Sequence, residues 1–250
     1  MKPQLRLFRP KPSLNLSSAI RGFTITTNSS ISAAAAAAAA LTEEEVTQIN
    51  AVVPRLCSSN RLKDAVNLIS AALFTANPPL NSLPLSDLVN RLAQEPDLTH
   101  PMHFLNALKY STETLNPILI QIVEMFVSSF FRNGDPKKAL KIFQWLSRPD
   151  FPGGVAKDSE IYAVFVDGFC KNGMILDSVR VLRVMASENV VVGSEVRVCV
   201  YRGLLREARV REALELNAAL DRCNLGNGSG DSCSKEVVEL LDRMIANWIE

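Results

Sequence analysis

The chain has very few of the residues from which metal and catalytic sites are built. It holds two histidines, His100 and His103, and five cysteines, none of them in a Cys-x-x-Cys pair, so no spacing suits a zinc ligand set. No glycine-rich phosphate loop opens a helical pattern, and nothing resembles the His-x-Glu and Cys-x-x-Cys signature of a zinc deaminase. The chain is therefore expected to act without chemistry of its own and with no cofactor. Long apolar runs are also missing. The most apolar stretch, residues 115–131, is interrupted by Asn116, Pro117, Gln121 and Glu124, which rules it out as a membrane span. No apolar core of signal-peptide length follows the basic start either. Aromatic residues make up only 6%, and alternating runs of β-branched residues are scarce. Leu, Ala and Val dominate instead, which favours helices. The cysteines are odd in number, and all five are expected to be free thiols in a reducing compartment.

Acidic residues are absent from residues 1–42, where Lys2, Arg6, Arg9, Lys11 and Arg21 stand among Ser and Thr ahead of eight alanines, Ala33 to Ala40. This is the composition of an organelle transit peptide. It points to the mitochondrial matrix first and a plastid second. All 26 acids lie from Glu43 onward, so the rest of the chain is acidic overall.

That remainder repeats itself. Residues 159–193 align without a gap on residues 194–228, with Gly168 on Gly203, Lys171 on Arg206, Asp177 on Glu212 and Met185 on Leu220. Residues 120–154 keep the same register, as do residues 46–80. A further unit, 82–116, fits less well because Pro96 and Pro101 fall near its middle turn. About five units thus span 46–228, with Val155 to Asp158 inserted after the third. Within the fourth, Ile161, Phe165 and Phe169 recur at helical spacing, Asn172 and Gly173 interrupt, and Ile175, Val179, Leu182 and Met185 resume it. Thr42 with Glu45 has the form of a capping box, and Asp135 with Pro136 that of an N-cap with proline at N1. One such helix pair cannot bury its apolar faces alone. The expected fold is all-α, a right-handed α-solenoid of stacked helix-turn-helix repeats. Residues 229–250 supply a flexible link and a C-terminal helix, with Val237, Leu240, Leu241, Met244, Ile245 and Trp248 on one face, expected to cap the last open apolar surface.

The period of 35, the Asn-Gly turn, the acid that follows it, and the string Tyr162, Gly168, Phe169, Cys170, Lys171, Asn172, Gly173 with Met185 resemble the pentatricopeptide repeat family, in its plant organellar P-type form. The resemblance implies single-stranded RNA as partner, held along a groove lined by the first helix of each repeat. It further implies that base-reading pairs fall on Asn50 with Leu80, Ser86 with Asn116, Glu124 with Gly154, Ala163 with Gly193, and Val198 with Gly228. Of these, Ser86 with Asn116 has the usual chemistry, while Ala163 and Val198 cannot hydrogen-bond a base edge. Arg132, Lys171 and Arg206 share one position in three consecutive repeats and are expected to form a basic file for phosphates. Arg202, Arg206, Arg209 and Arg211 add a local cluster. The RNA-contact candidates are therefore Asn50, Ser86, Asn116, Arg132, Lys171, Arg202 and Arg206. The expected role is an RNA-binding adaptor in transcript processing, stability or translation, with no membrane and no small-molecule substrate. The alternative is a protein-interaction scaffold, such as a component of an organellar ribosome or assembly complex.

Overall fold

The computed structural model describes residues 40–109, 116–148, 151, 159–224 and 230–249, all within one unit spanning 37–250. The acid-free segment before residue 40, the insertion at 155–158, and Gly154 and Gly228 lie outside the described residues. Among those described are eleven α-helices: α1 Glu43–Ser58, α2 Leu62–Leu73, α3 Leu85–Ala93, α4 Thr99–Lys109, α5 Asn116–Arg132, α6 Pro136–Leu146, α7 Ser159–Lys171, α8 Ile175–Ser187, α9 Ser194–Arg206, α10 Val210–Asn224 and α11 Gly230–Ile249. The first ten pair as five antiparallel hairpins. Their first helices α1, α3, α5, α7 and α9 form a row in which each touches the next. This is an all-α helical-repeat solenoid.

The repeat register is written into the backbone. Four first helices end at Ser58, Arg132, Lys171 and Arg206, and the partner helices begin at Leu62, Pro136, Ile175 and Val210. Between them Asn60, Gly134, Gly173 and Ala208 all adopt a left-handed conformation, with φ of 57°, 74°, 73° and 59°. The following N–H then donates to a carbonyl five residues back: Arg61 to Leu56, Asp135 to Phe130, Met174 to Phe169 and Arg209 to Leu204, each at 2.9 Å. This closes the last helical turn and aims the chain back along the hairpin. The second unit, α3 with α4, makes a longer turn instead. There Pro96 sits between the helices and Pro101 in the first turn of α4, where a proline removes no intrahelical bond.

The capping box opens α1 as expected: Thr42 N–H donates to Glu45 Oε2 at 2.9 Å and Glu45 N–H to Thr42 Oγ1 at 3.3 Å. The Thr42 N–H and hydroxyl, both donating to Glu45 Oε2 at 2.9 Å, hold that carboxyl below its usual range. Asp135 takes the N-cap position of α6 but caps nothing. Its carboxylate accepts from Lys138 Nζ at 2.9 Å, and that same ammonium donates to Glu95 O at 2.7 Å. The side chain is drawn to a charge on its own helix rather than to the backbone.

Phenyl rings fasten the middle repeats. Phe104 meets Phe126 edge-on at 6.4 Å, Phe131 meets Phe169 at 5.2 Å and Phe143 meets Phe165 at 5.4 Å. These contacts tie α4 to α5, α5 to α7 and α6 to α7. Tyr162 is wholly enclosed, and burial pushes its phenol up to about 12. Gly168 lets α7 close on α5, since a Cβ there would lie 2.1 Å from the Phe131 ring.

The C-terminal helix departs from expectation in three ways. It starts at Gly230, so part of the expected link is helical. It lies along α8 and α10, burying Val237, Leu241 and Met244, and leaves the end of the stack uncovered. Finally, Cys223 and Cys233 are disulfide-bonded, with Cα atoms 5.5 Å apart, whereas free thiols were expected. Their partnership follows from the reversal of the chain, which runs α11 antiparallel to α10. Arg222 pairs with Glu236, Arg243 with Glu215 at 2.9 Å, and the Arg209 guanidinium lies 4.0 Å over the Trp248 ring. On the α8 side, Arg183 Nε donates to Asp242 at 2.8 Å.

Two substitutions test this packing by thermal unfolding. Gly168→Ala should destabilise the protein by about 1–3 kcal/mol through overpacking against Phe131. Ala208→Gly should stabilise it by about 0.5–1 kcal/mol, because the left-handed penalty of alanine exceeds the entropic cost of glycine. Equal and negligible shifts would refute the turn and stacking geometry.

Candidate nucleic-acid interface

The row of first helices presents one side chain per repeat at a constant place: Asn50, Ser86, Glu124, Ala163 and Val198. Four of these are exposed and Ala163 is half-buried, so the file lies on the open side of the row. In the first repeat Asn50 is engaged by the protein, its Nδ2 donating to Ser82 O at 2.8 Å. Ser86 is exposed in the first turn of α3, and Asn116 is the first residue of α5.

On this side a cleft of about 420 Å³ opens where α7 faces α9. Asp167, Cys170 and Lys171 line it from α7. Ser194, Glu195, Val198, Cys199, Arg202 and Arg206 line it from α9. The α9 set recurs every three or four residues, which places it along one helix face. Three cations and two carboxylates thus share the opening. They are unequally engaged. Lys171 Nζ donates to Asp167 at 2.7 Å, and that bond raises the ammonium above its usual range. Arg202 and Arg206 are exposed and have no ion-pair partner among the described residues. Cys170 is buried under the floor, its Sγ donating to Ser178 Oγ at 3.3 Å, and burial pushes its thiol up to about 12.

The expected basic file is therefore only partly assembled. Lys171 and Arg206 occupy the same cleft, and Arg202 joins them. Arg132 stands one repeat earlier and is tied down: its Nη2 donates to Asn90 Oδ1 at 3.1 Å and to Ser129 Oγ at 2.9 Å, while Ser129 Oγ donates to the same Asn90 oxygen at 2.8 Å. Asp167 occupies in the fourth unit the place that Asn90 holds in the second. Arg209 and Arg211 also leave the cluster. The first reaches α11 and Glu212, the second Glu215 at 2.8 Å. Sequence reasoning missed Ser194, Glu195 and Cys199 as lining residues, although their helical spacing from Arg202 carried the signal.

This architecture, a 35-residue hairpin with its left-handed turn and a tyrosine enclosed in the first helix, agrees with a comparison against protein families. The model of the PPR repeat matches residues 125–144 and 160–190, which take in the second half of α5 with most of α6, and α7 with α8. Over those residues the chain carries the PPR repeat. Curated proteins offered no match. The repeats that match are the two joined by Phe131 against Phe169 and by Gly168.

The pairing inside the cleft has a measurable consequence. Replacing Asp167 with Asn should lower the Lys171 pKa toward the ordinary lysine value, read by NMR titration of the Lys171 side chain. An unchanged value would show that the ion pair does not hold this ammonium.

Proposed function

We propose that this pentatricopeptide-repeat protein binds single-stranded RNA along its row of first helices, with its strongest phosphate contacts in the α7–α9 cleft. The observation that carries the reading is the pair Arg202 and Arg206, two exposed guanidiniums with no ion-pair partner among the described residues, beside Lys171 in an open groove. Unpaired guanidiniums in such a groove attract a polyanion and release its counterions. At the base-reading places the last two repeats offer Ala163 and Val198, which give apolar contact but no hydrogen bond to a base edge. Binding is therefore tolerant of sequence there, with the backbone supplying most of the affinity. Arg132, held by Asn90 and Ser129, contributes less.

The acid-free, hydroxyl-rich segment ahead of residue 43 supports delivery to the mitochondrial matrix, with a plastid as the second destination. In a reducing matrix the Cys223 and Cys233 pair stands as thiols, and α11 is held by Leu241, Met244 and its ion pairs. The role that fits is an adaptor for transcript processing, stability or translation, acting by binding without a cofactor. A second reading, a protein-interaction scaffold in an organellar assembly, is favoured by one observation: Leu205, Val210 and Leu214 are exposed at the end of the stack.

Fluorescence anisotropy with single-stranded RNA across a salt series separates the two. The RNA reading predicts that changing both Arg202 and Arg206 to Ala lowers affinity about tenfold or more and reduces the salt slope by about one to two. An affinity within twofold of the unaltered protein would overturn it.

A further inference from the structure

The repeat register identifies a surface built for contact and left without any. In the fourth repeat, the face toward the next repeat includes Cys170, Ile175 and Val179, which are 3%, 2% and 0% exposed. Helix α9 of the fifth repeat packs on α7 and α8. Its Gly203 rests on Ile175, where a Cβ would stand 2.7 Å from Cδ1. The same three places in the fifth repeat are Leu205, Val210 and Leu214, at 39%, 51% and 56% exposure. The helix that follows them does not cover them, because α11 turns away to pack on α8 and α10.

The rest of that end face is polar. Arg197, Asn217 and Asp221 replace Tyr162, Leu182 and Ala186 of the fourth repeat, and Arg197 bonds both of the others. A sixth repeat packed like the fifth would have to desolvate this network. The apolar part is thus confined to the turn end of the α9–α10 hairpin. Its neighbours are exposed charges of both signs, Arg206, Glu207 and Arg211, the last already paired with Glu215. An apolar patch with a rim of mixed charge is self-complementary about a two-fold axis, where each arginine can meet its partner's glutamate. At the opposite end of the stack, Gln48 and Arg55 stand where the fourth repeat has Ile161 and Gly168, and both are exposed. Among the described residues that end exposes Val52 beside them and not the same set of three, and a two-fold contact closes at two copies by its own symmetry.

We propose that the turn end of the α9–α10 hairpin, through Leu205, Val210 and Leu214, is a two-fold interface between two copies of this chain. The patch is small against a standard interface, so the dimer forms in the micromolar range. The three apolar side chains lie outside the α7–α9 cleft, while the rim residue Arg206 lines it, so the apolar substitutions separate this contact from the RNA reading.

Sedimentation velocity on the full chain without RNA, across the micromolar range, provides the test. The expected result is a reversible monomer–dimer equilibrium whose dissociation constant rises about tenfold or more with Leu214→Arg and with Leu205→Glu. Both positions are exposed, so circular dichroism should show an unchanged fold. Glu207→Arg should also weaken the dimer, and adding Arg206→Glu should restore it. A monomer at every concentration would overturn the proposal and leave the face to a different protein. A dimer indifferent to Leu214→Arg, or assemblies growing beyond two copies, would overturn it as well. RNA affinity measured on Leu214→Arg reports separately on the cleft.

Discussion

Four of the five hairpins among the described residues depend on a single backbone conformation at the end of the first helix. Asn60, Gly134, Gly173 and Ala208 turn left-handed at the same place, and the next amide closes back onto the helix it has just left. That bond satisfies a terminal carbonyl and sets the direction in which the second helix departs. With four hairpins leaving in the same way, their apolar faces fall into line. Burial of Phe130, Phe165 and Leu204 against neighbouring repeats then becomes possible. No hairpin could bury those faces alone, so the turn and the stack depend on each other.

The same regularity creates the cleft. Because α5, α7 and α9 end at an equivalent residue, a cation at that residue appears in three consecutive repeats of the row. What distinguishes the repeats is what stands opposite. Opposite Arg132 is Asn90, a neutral acceptor that holds the guanidinium in place. Asp167, at the corresponding place two interfaces later, is taken by Lys171 of its own helix, and Arg206 has no ion-pair partner among the described residues. Two repeats with similar sequences therefore present different electrostatics. The difference comes from a single acid and from which cation reaches it first.

Much of this was legible in the sequence. The helix pairing, the turn at Gly134 and Gly173, the capping box at Thr42 and the apolar face of α11 follow from local chemistry, and local chemistry repeats every 35 residues. The parts that were not legible depend on contacts between distant segments. Cys223 and Cys233 are joined because α11 runs back along α10, and nothing near either cysteine encodes that reversal. Arg132 looked equivalent to Lys171 and Arg206 until Asn90, 42 residues away, engaged it. The destination of α11 was misjudged for the same reason. Its apolar stripe shows that it must pack, while Arg183, Glu215 and Trp248 determine where.

The central claim is that the row of first helices, and the α7–α9 cleft above all, is the RNA-facing surface. Photocrosslinking of the purified protein to single-stranded RNA, with the crosslinked peptides mapped by mass spectrometry, tests it most directly. The account predicts adducts concentrated in residues 159–171 and 194–206, with the second helices and α11 unlabelled. Adducts confined to α8, α10 and α11 would contradict it.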